Sequence, residues 1–159
     1  MELLVSTVDD QLSDLDESNI RILHIGDKTG LTPNVKRSIE TCEKLTFNNT
    51  EMTLCIAINY GGRSELLNAI KIILADPTNN GAPDESLIEK NLYTHNIPDP
   101  DLIIRTAGEM RLSNFLIWQS AYSEYYTTKT LWPDFDEHEI ELALEAYRLR
   151  TRKYGTISE

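Results

Sequence analysis

Apolar residues in the opening stretch fall at Leu4, Val5, Val8, Leu12 and Leu15, with Asp9, Asp10 and Asp14 between them. That spacing keeps one face apolar at 3.6 residues per turn and predicts an amphipathic helix from Met1 to Leu15. The pattern then changes. Ile20-Arg-Ile-Leu-His-Ile25 is a short run rich in β-branched residues that halts at Gly26-Asp27, as a buried strand does. Thr32-Pro33 opens the next helix, because a threonine side chain can cap it and proline suits its first turn. Val35, Ile39 and Cys42 give that helix its inner face. Met52 to Asn59 is nearly continuous in apolar residues and predicts a second strand, followed by the turn Tyr60-Gly61-Gly62-Arg63. Leu66, Ile70, Ile73 and Leu74 then recur on a helical period.

Asp76 to Asp84, with its prolines, glycine and asparagines, has the turn chemistry of a surface loop, and a short helix from about Glu85 to Tyr93 follows it. Leu102-Ile-Ile-Arg105 predicts a third strand, ending near Gly108. Phe115, Trp118, Ala121 and Tyr122 are spaced as one face of a helix from Asn114 to Glu124, and Tyr125 to Thr128 predicts a fourth, short strand. Asp136 with Glu139 three residues on has the form of a capping box for a last helix, whose inner face is Ile140, Ala143, Leu144 and Tyr147. Strands alternating with helices predict an α/β fold, with the four strands in one mostly parallel central sheet flanked by helices. The chain opens on a helix with no strand before it, the pattern that a domain cut near its middle presents.

Composition narrows the function. At 159 residues the chain fits a single domain, 1–159, with one sizeable core. Its 15 Lys and Arg against 26 Asp and Glu give a net charge of −11, which excludes generic electrostatic binding to nucleic acid or an anionic membrane. An anionic ligand must be held by a local cluster. Cys42 and Cys55 sit in apolar stretches at no metal-ligand spacing and predict reduced core thiols in a cytoplasmic protein. There is no run long enough to span a bilayer and no secretory start.

Candidate chemistry gathers at the strand ends, where open α/β sheets bind ligands. Three of these ends carry glycine, at Gly26, at Gly61-Gly62 and at Gly108, and Arg63, Arg105 and Arg111 lie beside them. Glycine admits close backbone approach, a helix start offers amides, and guanidinium adds fixed charge, so the combination suits phosphate or diphosphate. Plainer roles compete. Gly61-Gly62 serves equally as a strand-to-helix turn, and Arg63 as a surface residue. Arg105 ends an apolar strand, where an unpaired charge is costly, so a ligand or a buried ion pair outranks solvation. His24 is expected to be packed, with His95 and His138 at the surface. Asn48-Asn49-Thr50 reads as a turn, and the acidic run from Asp134 to Glu141 as a solvated helix start.

The stretch Arg105-Thr-Ala-Gly-Glu109-Met-Arg111-Leu-Ser113-Asn114, running on to Tyr122-Ser-Glu124, is dense in such groups, and Trp132-Pro133-Asp134-Phe135 follows it. Together with Asn59-Tyr60-Gly61-Gly62-Arg63 and Ile25-Gly26-Asp27 it resembles the cis-prenyltransferases, the undecaprenyl diphosphate synthase family. The resemblance implies condensation of isopentenyl diphosphate with an allylic diphosphate such as farnesyl diphosphate, with Mg²⁺ assisting departure of the diphosphate. It places Arg105, Arg111 and Ser113 on the isopentenyl diphosphate, and Glu124 at the metal. Gly61, Gly62, Arg63, Glu109 and Asn114 fall near substrate. Met110 stands where a histidine is frequent, and Lys153-Tyr154-Gly155 where many members have Arg-X-Gly.

The resemblance further implies a homodimer built from Phe115 to Tyr126 and Trp132 to Phe135, and contact with membranes only through the lipid product. The amino end departs from the family pattern. The Met-Asp-Gly-Asn-type loop, whose aspartate serves Mg²⁺ and the allylic diphosphate, is missing, so the chain corresponds to the carboxy-terminal two-thirds of one cis-prenyltransferase domain. Two roles follow from that: part of a transferase inactive by itself, or a non-catalytic partner subunit of a heteromer. A generic phosphate-binding module is the reading outside the family.

Overall fold

The structure, a computed structural model, describes residues 11–78 and 81–150. Most of the expected first helix and the Lys153-Tyr154-Gly155 motif lie outside the described residues. The chain divides into two compact units, Met1–His95 and Asn96–Glu159.

In the first unit a helix over 11–17 (α1) leads into β1 (Ile20–Ile25), α2 (Pro33–Leu45), β2 (Met52–Ala57), α3 (Gly62–Ala75) and α4 (Glu85–Glu89). β1 and β2 pair in parallel, Ile20 beside Met52 and Ile25 beside Ala57, with α2 as the crossover packed on β1. Leu12, Ile22 and Cys42 form the buried centre, and Leu15 and Ile56 pack against it. The α1 face expected from the sequence thus turns inward where it is described. Thr32 stands at the N-cap of α2, but its hydroxyl makes no capping bond; Pro33 at N1 starts the helix without it.

The inward face of α3 matches the periodic residues only in part, at Ile73 and the half-buried Leu66. Glu65, Ala69 and Ile73 are buried, whereas Ile70 is exposed and Leu74 is 81% exposed. This helix carries apolar residues around most of its circumference, including Leu67 and Ile72, so periodicity alone cannot select the face that packs. His24 is a packed residue, its Nε2 2.9 Å from the Ile58 carbonyl. Cys42 is buried and Cys55 half-buried, both as free thiols, and burial pushes the Cys55 thiol above its ordinary pKa.

In the second unit β3 (Leu102–Arg105) and β4 (Glu124–Thr127) pair in parallel, Leu102 beside Glu124 and Arg105 beside Thr127, and α5 (Glu137–Arg148) packs on β4. Asp136 caps α5 by accepting the Glu139 N–H at 3.1 Å. The reciprocal half of the capping box is missing, because the Glu139 carboxylate accepts instead from the Thr128 and Thr130 hydroxyls at 3.0 and 2.8 Å. His95 and His138 are exposed as expected, His138 in the first turn of α5.

One expectation is corrected. The expected helix from Asn114 to Glu124 is a series of turns, because Ser113, Asn114 and Leu116 adopt φ of 51°, 65° and 45° and so interrupt the right-handed run that a helix requires. The strands are parallel as expected, with β1 beside β2 in the first unit and β3 beside β4 in the second. Among the described residues no helix is long and apolar enough to cross a membrane.

Candidate functional site

β3 runs apolar through Ile103 and Ile104 and ends on Arg105. The chain then turns sharply, with Ala107 at φ 64° and Gly108 at φ 71°. The turn is pinned to the segment after β4, since the Ala107 N–H donates to the Thr130 carbonyl at 2.9 Å and the Gly108 N–H to the Thr128 carbonyl at 2.7 Å. A cavity of about 460 Å³ opens beside it, lined by Ile103, Ile104, Arg105, Glu109, Met110, Arg111, Leu112, Phe115, Tyr125 and Thr127. Arg105 is half-buried and makes no ion pair among the described residues. A partly desolvated guanidinium without a carboxylate has its donors available for an anion. Arg111 pairs with Glu109 and is 64% exposed. Two guanidiniums against one carboxylate make this a local cationic cluster in an acidic chain.

The cavity thus brings together Arg105, Arg111 and Glu109. Ser113 and Asn114 are exposed in the turn that follows and do not line it. Glu124 does not join the cluster either. The strand register sets it beside Leu102, three residues from the Thr127 that faces Arg105, which at roughly 3.3 Å per residue separates their backbones by about 10 Å. Its carboxylate is engaged elsewhere: Arg150 Nη1 lies 2.5 Å from Glu124 Oε2, while Arg150 Nη2 donates to the Tyr125 carbonyl at 2.8 Å.

At the strand ends of the first unit, Gly26 and Asp27 meet Asn59. The Asp27 N–H donates to the Asn59 carbonyl at 3.1 Å, and Asn59 Nδ2 donates to the Asp27 carbonyl at 2.8 Å. The Thr29 hydroxyl and amide donate to the Asp27 carboxylate and hold its pKa below the ordinary value. Gly61, in extended backbone at φ −162°, caps α3, Gly62 is buried in its first turn, and Arg63 is exposed there. Glu65, 1% exposed, accepts from the Tyr60 hydroxyl at 2.6 Å and the Tyr93 N–H at 2.8 Å, and the two tyrosine rings meet edge to face at 6.4 Å.

Sequence reasoning had missed Glu65, Tyr93, Tyr125 and Thr127. The first carried a signal, a carboxylate directly after a glycine turn at a helix start. The others are brought in by tertiary contact alone.

Burial, then the charges of Asp27 and Glu65, raise the Tyr93 pKa above 10.0. Above that value the unfolded chain loses the Tyr93 proton before the folded chain does, so stability falls with rising pH from the unfolded pKa up to the folded one. Urea midpoints measured between about pH 9 and 11.5 are expected to fall less steeply for Tyr93→Phe than for the unaltered chain. Equal slopes would remove Tyr93 from this account.

The prenyltransferase family model described as undecaprenyl diphosphate synthase matches residues 1–155. The chain belongs to the undecaprenyl diphosphate synthase family. An isoprenyl transferase of Streptococcus mutans is 46% identical over 165 residues, covering 99% of this chain and 66% of that protein. One of Thermotoga maritima is 45% identical over 157 residues, covering 98% of this chain and 67% of that protein. The crystal structure of a probable undecaprenyl diphosphate synthase from Campylobacter jejuni superposes with a TM-score of 0.87 at 32% identity, covering 98% of this chain and 72% of that one. Lavandulyl diphosphate synthase from Lavandula x intermedia, solved in complex with dimethylallyl diphosphate, gives 0.86 at 36% identity, covering 98% and 71%. This family member therefore spans about two thirds of the length of the curated relatives it matches.

Among the described residues no group of three or more His, Cys, Asp or Glu side chains gathers, whereas Mg²⁺ is commonly held by one or two carboxylates together with substrate phosphates and water. Glu124 is held by Arg150 and Glu109 by Arg111.

Proposed function

We propose that this chain takes the isopentenyl diphosphate side of a cis-prenyltransferase reaction, in which isopentenyl diphosphate is condensed with an allylic diphosphate to extend a polyprenyl diphosphate. The observation that carries the proposal is Arg105, a half-buried guanidinium without an ion-pair partner among the described residues, in a cavity whose other walls are largely apolar. Planar guanidinium groups engage phosphate oxygens two at a time. Arg105 holds the diphosphate, Arg111 exchanges Glu109 for it, and Ile103, Ile104, Met110 and Phe115 take the isopentenyl carbons. Ser113 adds a hydroxyl once the turn at 113–116 closes over the ligand. An allylic substrate is supported by the Lavandula relative, whose structure contains dimethylallyl diphosphate. Mg²⁺ belongs to the family reaction, in which it would meet carboxylates together with the substrate diphosphates.

A second role is a partner subunit that contributes the arginine side of a shared site. Incubation with labelled isopentenyl diphosphate, farnesyl diphosphate and Mg²⁺, followed by lipid extraction, tests both roles. The 159-residue chain is expected to yield no polyprenyl product. A fusion carrying the aspartate-loop region of the Streptococcus mutans relative ahead of Met1 is expected to elongate farnesyl diphosphate. Product from the short chain would show the loop to be dispensable, and a folded fusion that binds both substrates without elongation would favour the partner-subunit role.

We further propose a cytoplasmic homodimer, with contact to membranes only through the lipid product and none with nucleic acid. Two free cysteines fit the reducing compartment. Tyr122, Tyr125 and Trp132 are exposed, Trp132 stacks on Phe135 at 6.1 Å, and such aromatic density suits an interface core. Light scattering is expected to give twice the chain mass, and a monomer at high concentration contradicts the dimer.

A further inference from the structure

A strand at the end of a sheet presents unpaired backbone donors and acceptors, which invite pairing with another chain. Among the described residues β1 has β2 on one side only. The Ile58 N–H donates to the Ile25 carbonyl, which identifies the odd-numbered residues of β1 as those bonded to β2. The alternate residues Ile20, Ile22 and His24 therefore turn their backbone groups to the opposite edge.

That edge is not left open. The Ile22 N–H donates to Thr46 Oγ1 at 2.9 Å, the His24 N–H to Glu43 Oε1 at 3.0 Å, and Asn49 Nδ2 donates to the Ile20 carbonyl at 3.0 Å. Glu43, Thr46 and Asn49 recur every third residue along the end of α2 and the turn after it, so their side chains share one face. Ile20, Ile22 and His24 recur every second residue along the strand. The two rows run in opposite senses and meet group for group.

Each member of the helical row is itself fixed. Thr46 is wholly buried and its hydroxyl donates to the Cys42 carbonyl at 2.8 Å. Glu43 Oε2 accepts from Lys28 Nζ at 2.7 Å, and Asn49 Nδ2 also reaches Asp16 Oδ1 at 2.9 Å. By contrast, the amides of Thr53, Cys55 and Ala57, which point from β2 away from β1, have no side-chain partner among the described residues.

We infer that Glu43, Thr46 and Asn49 form a side-chain ladder that takes the place of a neighbouring strand and closes the outer edge of β1 to strand addition by a second copy of this chain. The device is independent of the diphosphate site. Among the described residues it also makes the first unit's sheet asymmetric, guarded along β1 and unguarded along β2.

Hydrogen exchange read amide by amide on the 159-residue chain tests it. The Ile22 and His24 amides are expected to be protected to the level of the Leu23 amide, which bonds to β2, and at least about tenfold more than those of Thr53, Cys55 and Ala57. Thr46→Val is expected to release Ile22 alone, and Glu43→Ala to release His24 alone, with Glu43→Gln restoring it because the amide oxygen still accepts. Glu43 is part-exposed, so its variants decide the matter if the buried Thr46→Val fails to fold. Light scattering of Glu43→Ala is expected to reveal concentration-dependent association beyond that of the unaltered chain. Exchange of Ile22 and His24 at the rate of Thr53, Cys55 and Ala57 in the unaltered chain overturns the ladder. A Glu43→Ala chain that releases the His24 amide without added association overturns its guarding role.

Discussion

Arg105→Ala is expected to weaken binding of isopentenyl diphosphate by about ten- to hundredfold. A hydrogen bond between charged groups contributes about 1.5–3 kcal/mol, and each 1.4 kcal/mol is a factor of ten in affinity. Arg105 carries the larger share because it has no carboxylate to leave before it meets phosphate, whereas Arg111 must first give up Glu109. Arg105→Lys keeps the charge and loses the planar fork, so its affinity should fall between the two. Glu109→Gln frees Arg111 and should tighten binding slightly. Titration calorimetry with isopentenyl diphosphate at fixed ionic strength reads all four proteins. Unchanged affinity for Arg105→Ala would place the diphosphate elsewhere.

Gly26→Ala is expected to be the most damaging single methyl group in the first unit. Gly26 has φ +136°, and a Cβ there would lie 2.2 Å from the Ile58 carbonyl oxygen. That oxygen belongs to backbone held by the Ile58 N–H bond to Ile25, with the Asp27 bond to the Asn59 carbonyl next to it, so it cannot yield without opening the end of the β1–β2 pair. Backbone strain of this kind costs about 1–3 kcal/mol before the clash is added, against a typical total of about 5–15 kcal/mol. Loss of soluble protein, or a urea midpoint lowered by the equivalent of about 3 kcal/mol, is the expected result. Gly81→Ala, with open space around the added methyl, is the control and should stay within about 0.5 kcal/mol. Equal stability for Gly26→Ala would mean that the strand ends are looser than these contacts imply.

Sequence pattern located the elements whose signal is local. β1 and β3 begin and end where their β-branched runs do, at Ile20–Ile25 and Leu102–Arg105, and Pro33 marks the start of α2. The pattern failed where distant contacts decide the outcome. Phe115, Trp118, Ala121 and Tyr122 satisfy a helical spacing, yet positive φ at Ser113, Asn114 and Leu116 breaks the run, and no propensity announces it at Leu116. Glu139 fits a capping box but meets two threonine hydroxyls that only the packing of α5 on β4 brings close.

The site was half legible on the same grounds. An arginine ending an apolar strand already suggests a ligand or an ion pair, and a cavity lies beside Arg105. The resemblance brought Glu124 into the site together with the arginines. Its place at the far end of β4, under Arg150, depends on the strand register and on a partner 26 residues away. Neither is visible from local sequence.

The most direct test of the central claim, that the arginine cavity of the second unit accepts a diphosphate, is to follow backbone amide resonances of the labelled chain while isopentenyl diphosphate is added. Saturable shifts are predicted at 103–112 and 125–128, where the cavity wall and the pinned turn respond to the ligand. Shifts confined to 61–65, or none at concentrations that saturate the calorimetric signal, would contradict it.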